Sequence, residues 1–346
     1  MDPKIKITHE MVRILAALDE FKGRWSATRR LAPERLNALR HVATIESIGS
    51  STRIEGVKLT DQEIEKLLSG LKRYSFRSRD EQEVAGYAEA MEKVFANYQE
   101  LPLTENIIKQ FHGILLRFST KDERHRGEYK KFPNNVEAFD EKGKSVGVIF
   151  ESAAPFDTPF KMTRLVEWTN SQLSSREIHP ILVIGYFVIQ FLAIHPFQDG
   201  NGRLSRILTT ILLLRAGYSY VPYSSLERIV EANKDRYYLA LRRGQATFDK
   251  GDKQLNDWLN FFLEILQKQM TELEKKLQTE QLIEELPDVS MRIMAFVKDH
   301  GRTTIKDLNA ATEINRNTLK THLRKLVEAK HLKLVGKGKG ASYQLV

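Results

Sequence analysis

Residues 195–206 read His195-Pro196-Phe197-Gln198-Asp199-Gly200-Asn201-Gly202-Arg203-Leu204-Ser205-Arg206, and nearly every polar type in that string suits work on a phosphate. Gly200 and Gly202 let the backbone approach a ligand closely. The apolar run that follows, 207–214, puts them at a helix N-terminus, where free N–H groups and the helix dipole favour an anion. Arg203 and Arg206 are three apart, so they share one helical face and can fork onto phosphate oxygens. Asp199 is a hard oxygen ligand of the kind Mg²⁺ takes alongside substrate phosphates. His195, at the other end of the loop, is a titratable base. A lone His before a loop is usually structural, and a Gly-Asn-Gly turn is usually just a turn. So many specified positions within one short string do not arise by chance in a chain of 346 residues.

The string resembles the signature of the Fic family, His-x-Phe-x-Asp/Glu-Gly-Asn-Gly-Arg-x-x-Arg, and matches it at every specified position. The resemblance runs over roughly residues 80–245. It implies an all-helical core and an enzyme that transfers AMP from ATP to a Ser, Thr or Tyr hydroxyl of a target protein. On that resemblance His195 deprotonates the hydroxyl and Asp199 binds Mg²⁺ bridging the α- and β-phosphates. Gly200, Asn201 and Gly202 form the anion hole, Arg203 and Arg206 hold the β- and γ-phosphates, and Leu204 and Ser205 lie within the same nucleotide-binding stretch. Positioning and electrostatics carry most of such a transfer, and loss of the base costs about 10²–10⁴ in rate.

Upstream, Ser51-Thr52-Arg53-Ile54-Glu55-Gly56 resembles the family's inhibitory motif, Ser/Thr-x-x-x-Glu-Gly/Asn. Its place before the core resembles the class whose inhibitory helix is N-terminal and in cis. Ser51, Glu55 and Gly56 are the matching positions. The physical logic is competition: the guanidinium fork of Arg206 can take either a γ-phosphate or the Glu55 carboxylate. A hundredfold repression needs only about 2.7 kcal/mol. In some relatives the same Glu is implicated in removing AMP, so the reverse reaction is a further expectation.

Three other segments match less closely. Gly147, Val148, Ile149 and Phe150 stand where the family carries a β-hairpin flap; an exposed strand edge there could pair with an extended target, while a short hairpin that closes the core reads equally well. Upstream of it the family usually has an Arg after an aromatic, and this chain has Lys130 after Tyr129. After the motif, Asn233-Lys234-Asp235-Arg236-Tyr237-Tyr238 resembles the segment beside the adenine. It makes Asn233, Tyr237, Tyr238 and Gln245 nucleotide candidates, although paired aromatics on a helix are more often core. His41 and His112 read as structural.

Helices must position these groups. Apolar residues recur at helical spacing at Met11, Ile14, Leu15 and Leu18, and at Leu36, Leu39, Val42 and Ile45. A short capped helix is expected from Asp61, with Gly70 after it. Further helices are expected near 80–99, 104–118, 160–174, 179–194, 202–216, 226–243 and 252–280. The run 181–194 is too short for a membrane span, which needs about 20 residues, and reads as a helix buried on all sides. A strand is expected at 145–150, after a turn at 140–143. Boundaries fall near 71–80 and 284–288.

The tail differs in charge and pattern. Lys plus Arg exceed Asp plus Glu by nine, and two thirds of that surplus lies in 285–346, with 12 basic against 6 acidic residues. That segment reads as helices at 290–300, 304–312 and 315–330 followed by a hairpin at 332–345. The order resembles a winged helix, with Ile305, Leu308, Ile314, Leu319, Leu323 and Leu326 as core. Its third helix presents Arg316, Asn317, Lys320, Thr321 and Arg324, and its wing carries Lys333, Lys337 and Lys339. Such residues can read base edges and neutralise phosphates, and winged helices also serve as protein-interaction modules. The absence of cysteine excludes a thiolate zinc site, an iron–sulfur cluster and a catalytic thiol.

The expected fold class is therefore mainly α: a helical Fic core with a short β-hairpin flap, plus a C-terminal winged helix-turn-helix. The expected domains are 1–75 with the inhibitory motif, 76–284 as the catalytic domain with its following helices, and 285–346. The expected function is a self-inhibited protein adenylyltransferase using ATP and Mg²⁺. The rivals are a Fic enzyme that moves another phosphate-containing group, and a DNA-binding regulator whose core senses nucleotide. Expected partners are a target protein, the chain itself, duplex DNA and a second copy of the chain, with no membrane. The expected location is cytoplasmic, since residues 1–10 hold interspersed charges and no apolar leader.

Overall fold

The computed structural model describes residues 3–27, 33–70, 76, 78–134, 136–139, 145–245, 255–284, 286–336 and 338–346. The turn expected at 140–143, most of the linker expected near 71–80, Glu285 and Lys337 lie outside the described residues, as do the side chains of Lys339 and of the strand residues 147–150. The chain forms two compact units, Met1–Glu272 and Leu273–Val346.

The first unit is built of helices: α1 (His9–Ala27), α2 (Pro33–Ile54), α3 (Asp61–Ser69), α4 (Arg79–Asn97) and α5 (Glu105–Leu115). A hairpin of β1 (Val136–Phe139) and β2 (Ser145–Phe150) follows, then α6 (Thr158–Ser175), α7 (Pro180–Ile194), α8 (Asn201–Arg215), α9 (Leu226–Ala232) and α10 (Lys234–Gln245). The next helix, α11 (Leu255–Glu284), runs across the division between the units. α3 is capped by Thr60, one residue before the Asp61 start that spacing suggests: its hydroxyl accepts from the Glu63 N–H, and the Glu63 carboxylate accepts from the Thr60 N–H.

α7 has no polar face because it needs none. Every residue from Ile181 to Ile194 except Gln190 is buried, among α6, α8 and α10. Trp258 of α11 donates its indole N–H to the Gly185 carbonyl, 2.7 Å away. The stretch read as one helix over 226–243 is two. α9 stops at Asn233, whose side-chain amide bonds back to the Ile229 carbonyl at 2.8 Å; Asn competes with the helical backbone in this way at ends and turns. The hairpin is antiparallel, with Val136 opposite Phe150 and Glu137 opposite Val148.

The second unit, after the end of α11, holds α12 (Asp288–His300), β3 (Thr303–Thr304), α13 (Ile305–Thr312), α14 (Arg316–Glu328), β4 (Leu332–Val335) and β5 (Ser342–Leu345). The strands form one antiparallel sheet in the order β3-β5-β4. Its core includes Leu308, Ile314, Leu319, Leu323 and Leu326, with Ile305 partly buried beside them. The two-residue β3 is not visible in the sequence pattern, because a strand that short has no period. Among the described residues no helix is long and apolar enough to cross a membrane.

Candidate active site

His195 ends α7 in a left-handed conformation (φ 51°, ψ 60°), and its N–H closes the helix on the Phe191 carbonyl at 2.9 Å. That turn swings the ring out of the buried helix. Its Nδ1 lies 3.4 Å from the Leu192 carbonyl; a carbonyl only accepts, so Nδ1 carries the proton and Nε2 keeps the lone pair. Burial, aided by the positive charge of Lys130, pulls His195 down to about 4. The ring is therefore neutral, and basic in form, at neutral pH.

The loop after His195 is held at several points. Asn201 accepts from the Phe197 N–H at 2.9 Å and donates to its carbonyl at 2.7 Å. Asn134 donates to the carbonyls of His195 and Phe197. His112 lies stacked on Phe197, ring centroids 3.9 Å apart. Its Nδ1 accepts from the Gly127 N–H at 2.9 Å, so Nε2 donates to the Asp199 carbonyl at 3.0 Å. Burial lowers His112 to about 4, which keeps the ring neutral, and these two bonds fix its tautomer. The structural reading of His112 is thus right in kind, and the group it supports is the loop of the site itself.

Gly200 takes φ 80° to start α8 and offers no side-chain cap, so the first N–H groups of the helix stay available to an anion. Gly202 has an additional role: a Cβ there would lie 2.2 Å from Oε1 of Glu55. The carboxylate rests directly on the glycine face at the head of α8. Glu55 also accepts from Arg206 at 2.8 Å, a salt bridge consistent with autoinhibition. Ser51 completes that grip, its hydroxyl accepting from Arg206 Nε at 2.7 Å and its carbonyl from Nη2 at 2.8 Å. Burial works against the Arg206 charge, and Glu55, with Tyr237 and Tyr87, more than offsets it, so the guanidinium is held above its ordinary value.

The helix end bearing Glu55 is itself anchored. Arg53 forks onto Glu231 of α9 at 2.8 and 3.0 Å and reaches Asp61 at 2.8 Å. Lys234 and Tyr238 of α10 donate to the Ile54 carbonyl at 2.8 and 3.3 Å. Gly56 then turns the chain away at φ 106°.

Arg203 does not share the task of Arg206. It is buried and donates to Glu83 of α4 at 2.7 Å and to Asp199 at 3.3 Å. Arg79 bridges the same two carboxylates at 2.6 and 3.3 Å. Spacing in the chain revealed neither Arg79 nor Glu83, which lie 120 or more residues before their partners. Asp199 is held below the usual carboxylate range: burial opposes this, and Arg203, the Gly200 N–H, Arg79 and Lys121 together overcome it. Among the described residues no cluster of three or more His, Asp or Glu could cage a metal. Asp199 offers one ionised carboxylate, about a third exposed at 35%, and that suits an ion such as Mg²⁺ that takes its other ligands from phosphates and water.

A cavity of about 660 Å³ opens beside these groups, lined by Glu55, His195, Gly202, Tyr237, Tyr238 and Gln245 among others. It is large enough for a nucleotide-sized ligand. Asn233 does not line it; it caps α9 and accepts from Lys268 at 3.1 Å. Leu204 faces the core, and Ser205 donates to the Gly202 carbonyl at 2.7 Å. Gly147, Val148, Ile149 and Phe150 lie on β2 of the hairpin. In the second unit Arg316, Asn317, Lys320 and Arg324 are all exposed on α14.

Comparison with known proteins gives a consistent result. A family model described as Fic/DOC family matches residues 102–213. A protein adenylyltransferase Fic from Drosophila willistoni is 30% identical over 232 residues, covering 66% of this chain and 42% of that one. The chain thus spans about two fifths of the length of the curated relatives it matches. Among solved structures, a Fic domain containing signaling protein from Bacteroides thetaiotaomicron aligns at TM-score 0.59 and 26% identity, covering 74% of this chain and 94% of that one. A Fic family protein from Desulfovibrio desulfuricans aligns over 100% of this chain and 98% of its own at TM-score 0.63 and 22% identity, a likeness of fold.

Proposed function

We propose, from the match of residues 102–213 to the Fic/DOC family model, that the chain belongs to that family and is a protein adenylyltransferase held in check by its own Glu55. The observation that carries the reading is the Glu55 carboxylate seated on Gly202 and Arg206 at the head of α8. The chain has placed an anion of its own where a helix N-terminus and a guanidinium would otherwise receive a phosphate.

With Glu55 withdrawn, ATP lies in the cavity with its base near Tyr237, Tyr238 and Gln245 and its phosphates along Gly200, Asn201, Gly202 and Arg206. Arg203 acts from behind, fixing Asp199. Nε2 of His195 takes the proton of a Ser, Thr or Tyr hydroxyl, and the hydroxyl oxygen attacks the α-phosphorus. The new P–O bond forms as the bond to the β-phosphate oxygen breaks, and pyrophosphate leaves. Mg²⁺ supplies charge neutralisation on the phosphates, and Asp199 is the residue that would hold it. The hairpin edge at 147–150 serves as a flap that pairs with the target segment.

The second unit supports a further reading as a winged helix. Three helices, a three-stranded sheet and an exposed basic α14 favour duplex DNA as its ligand. On this view the chain divides into 1–75, 76–284 and 285–346. A regulator whose core senses nucleotide is the alternative, as is a transferase of another phosphate-containing group.

The test is mass spectrometry of Glu55→Gly protein incubated with ATP, Mg²⁺ and lysate, beside the wild type. The expected result is AMP on hydroxyl side chains of lysate proteins or of the chain itself. About a hundredfold more is expected in the variant, a ratio worth about 2.7 kcal/mol. Equal incorporation by the two proteins would refute self-inhibition, and a different adduct would reassign the transferred group.

A further inference from the structure

Lys130 is buried, 3% exposed, in the segment between α5 and the hairpin. Its ammonium has three N–H donors and meets three acceptors: Asn134 Oδ1 at 2.7 Å, Ser152 Oγ at 2.8 Å and the Ile194 carbonyl at 3.0 Å. Asn134 stands just ahead of β1 and Ser152 just after β2, so both roots of the hairpin are tied to one nitrogen. Ile194 is the residue before His195. The backbone repeats the connection: the Lys130 N–H donates to the Pro196 carbonyl at 2.8 Å, and Asn134 donates to the carbonyls on either side of Pro196.

We propose that Lys130 is a positioning residue that locks the β1–β2 hairpin to His195, so that a chain docked on the hairpin is held in register with the base. This rests on the reading of the site as a transferase. Nothing in the arrangement requires Lys130 to touch a substrate; it acts through Asn134, Ser152 and the last turn of α7.

The three-for-three match has a consequence for pH. Burial, with Lys161 of α6 adding to it, lowers Lys130 to about 8. The other titratable group it faces is His195, whose basicity it depresses. Above about pH 8 the neutral amine keeps two donors for three acceptors, and one tie to the hairpin or to α7 is lost. The lock is therefore fully present below that value and loosens as pH rises through it.

Hydrogen exchange of the full chain, read by mass spectrometry, tests the lock without any activity. In Lys130→Met, peptides covering 131–156 and 191–199 should exchange about tenfold faster together, while α13 and α14 stay at wild-type rates. Ser152→Ala, a milder change, should loosen 145–156 more than 191–199. Acceleration of only one of the two segments in Lys130→Met, or of neither, overturns the proposal. In the Glu55→Gly background, Lys130→Met should lower kcat for AMP transfer at least tenfold, with ATP affinity by calorimetry within twofold. Lys130→Arg should restore transfer and remove the alkaline fall near pH 8, since Arg stays charged. A fall near pH 8 that survives in Lys130→Arg counts against the lock. A Glu55→Gly protein that transfers nothing from ATP refutes the transferase reading instead, and the exchange result still decides this one.

Discussion

His195 reaches the cavity only because α7 ends in a left-handed turn, and its surroundings make it a neutral ring well below its ordinary pKa. The sign of the pH effect follows. A base lowered to about 4 is already in its active form from pH 8 down to about 5. On the transferase reading, the acid limb of the kcat/KM profile should therefore appear only as pH nears about 4, well separated from the alkaline fall near pH 8 that Lys130 sets. An acid limb centred near 6.5, measured on the Glu55→Gly protein, would show a histidine that the fold leaves unperturbed. At this scale the sequence was legible where chemistry is local. His195, Asp199, Gly202 and Arg206 sit within one short string, and their spacing alone announces a helix-head anion site. Glu83, Arg79 and His112 were not legible as parts of the site, because each meets its partner across a tertiary contact that leaves no local spacing. The pair Arg203 and Arg206 shows the limit. Three residues apart, they share a turn, yet α4 draws one to Glu83 and α2 draws the other to Ser51 and Glu55.

On the proposed reading the element that sets repression is the end of α2, and its grip extends beyond Glu55. Arg53 holds it to Glu231 on α9 and to Asp61 on α3, and α10 caps its last carbonyl through Lys234 and Tyr238. Removing one of these contacts should lower repression without abolishing it. Glu231→Gln keeps the shape and removes the charge, and a partly buried charge-assisted fork is worth about 1.5–3 kcal/mol. If half of that reaches the position of Glu55, AMP incorporation rises several-fold, between the wild type and Glu55→Gly. Incorporation at the wild-type level in a folded Glu231→Gln protein would place the latch elsewhere. The apolar pattern located α7 and α8 well, since each buries it at length. In α2 the expected face holds only in part, with Leu39 and Ile45 buried but Val42 exposed, because the helix also buries Ser47, Ser50, Ser51 and Thr52. Periodicity missed the break at Asn233, where a side-chain amide replaces a helical bond, and the two-residue β3, which is too short to have a pattern.

On the scale of the whole molecule the charge surplus is unevenly shared, with 12 basic against 6 acidic residues in 285–346. The second unit has its own core, and its exposed α14 carries Arg316, Lys320 and Arg324. If that surface meets DNA, affinity of the full chain for a duplex should drop steeply between 50 and 200 mM salt, by about tenfold to a hundredfold for a few neutralised phosphates. Replacing Lys320 and Arg324 with Ala should flatten that slope. Binding that ignores salt, or no binding at low salt, would turn the unit toward protein contacts.

The seat of Glu55 on Gly202 has a consequence of a different kind. An inhibitor tethered in the same chain has an effective concentration fixed by the fold. Diluting the protein leaves that concentration unchanged, whereas added nucleotide competes for the same seat. On the proposed reading the enzyme's idle fraction is therefore blind to its own abundance, and tracks the supply of the molecule it consumes.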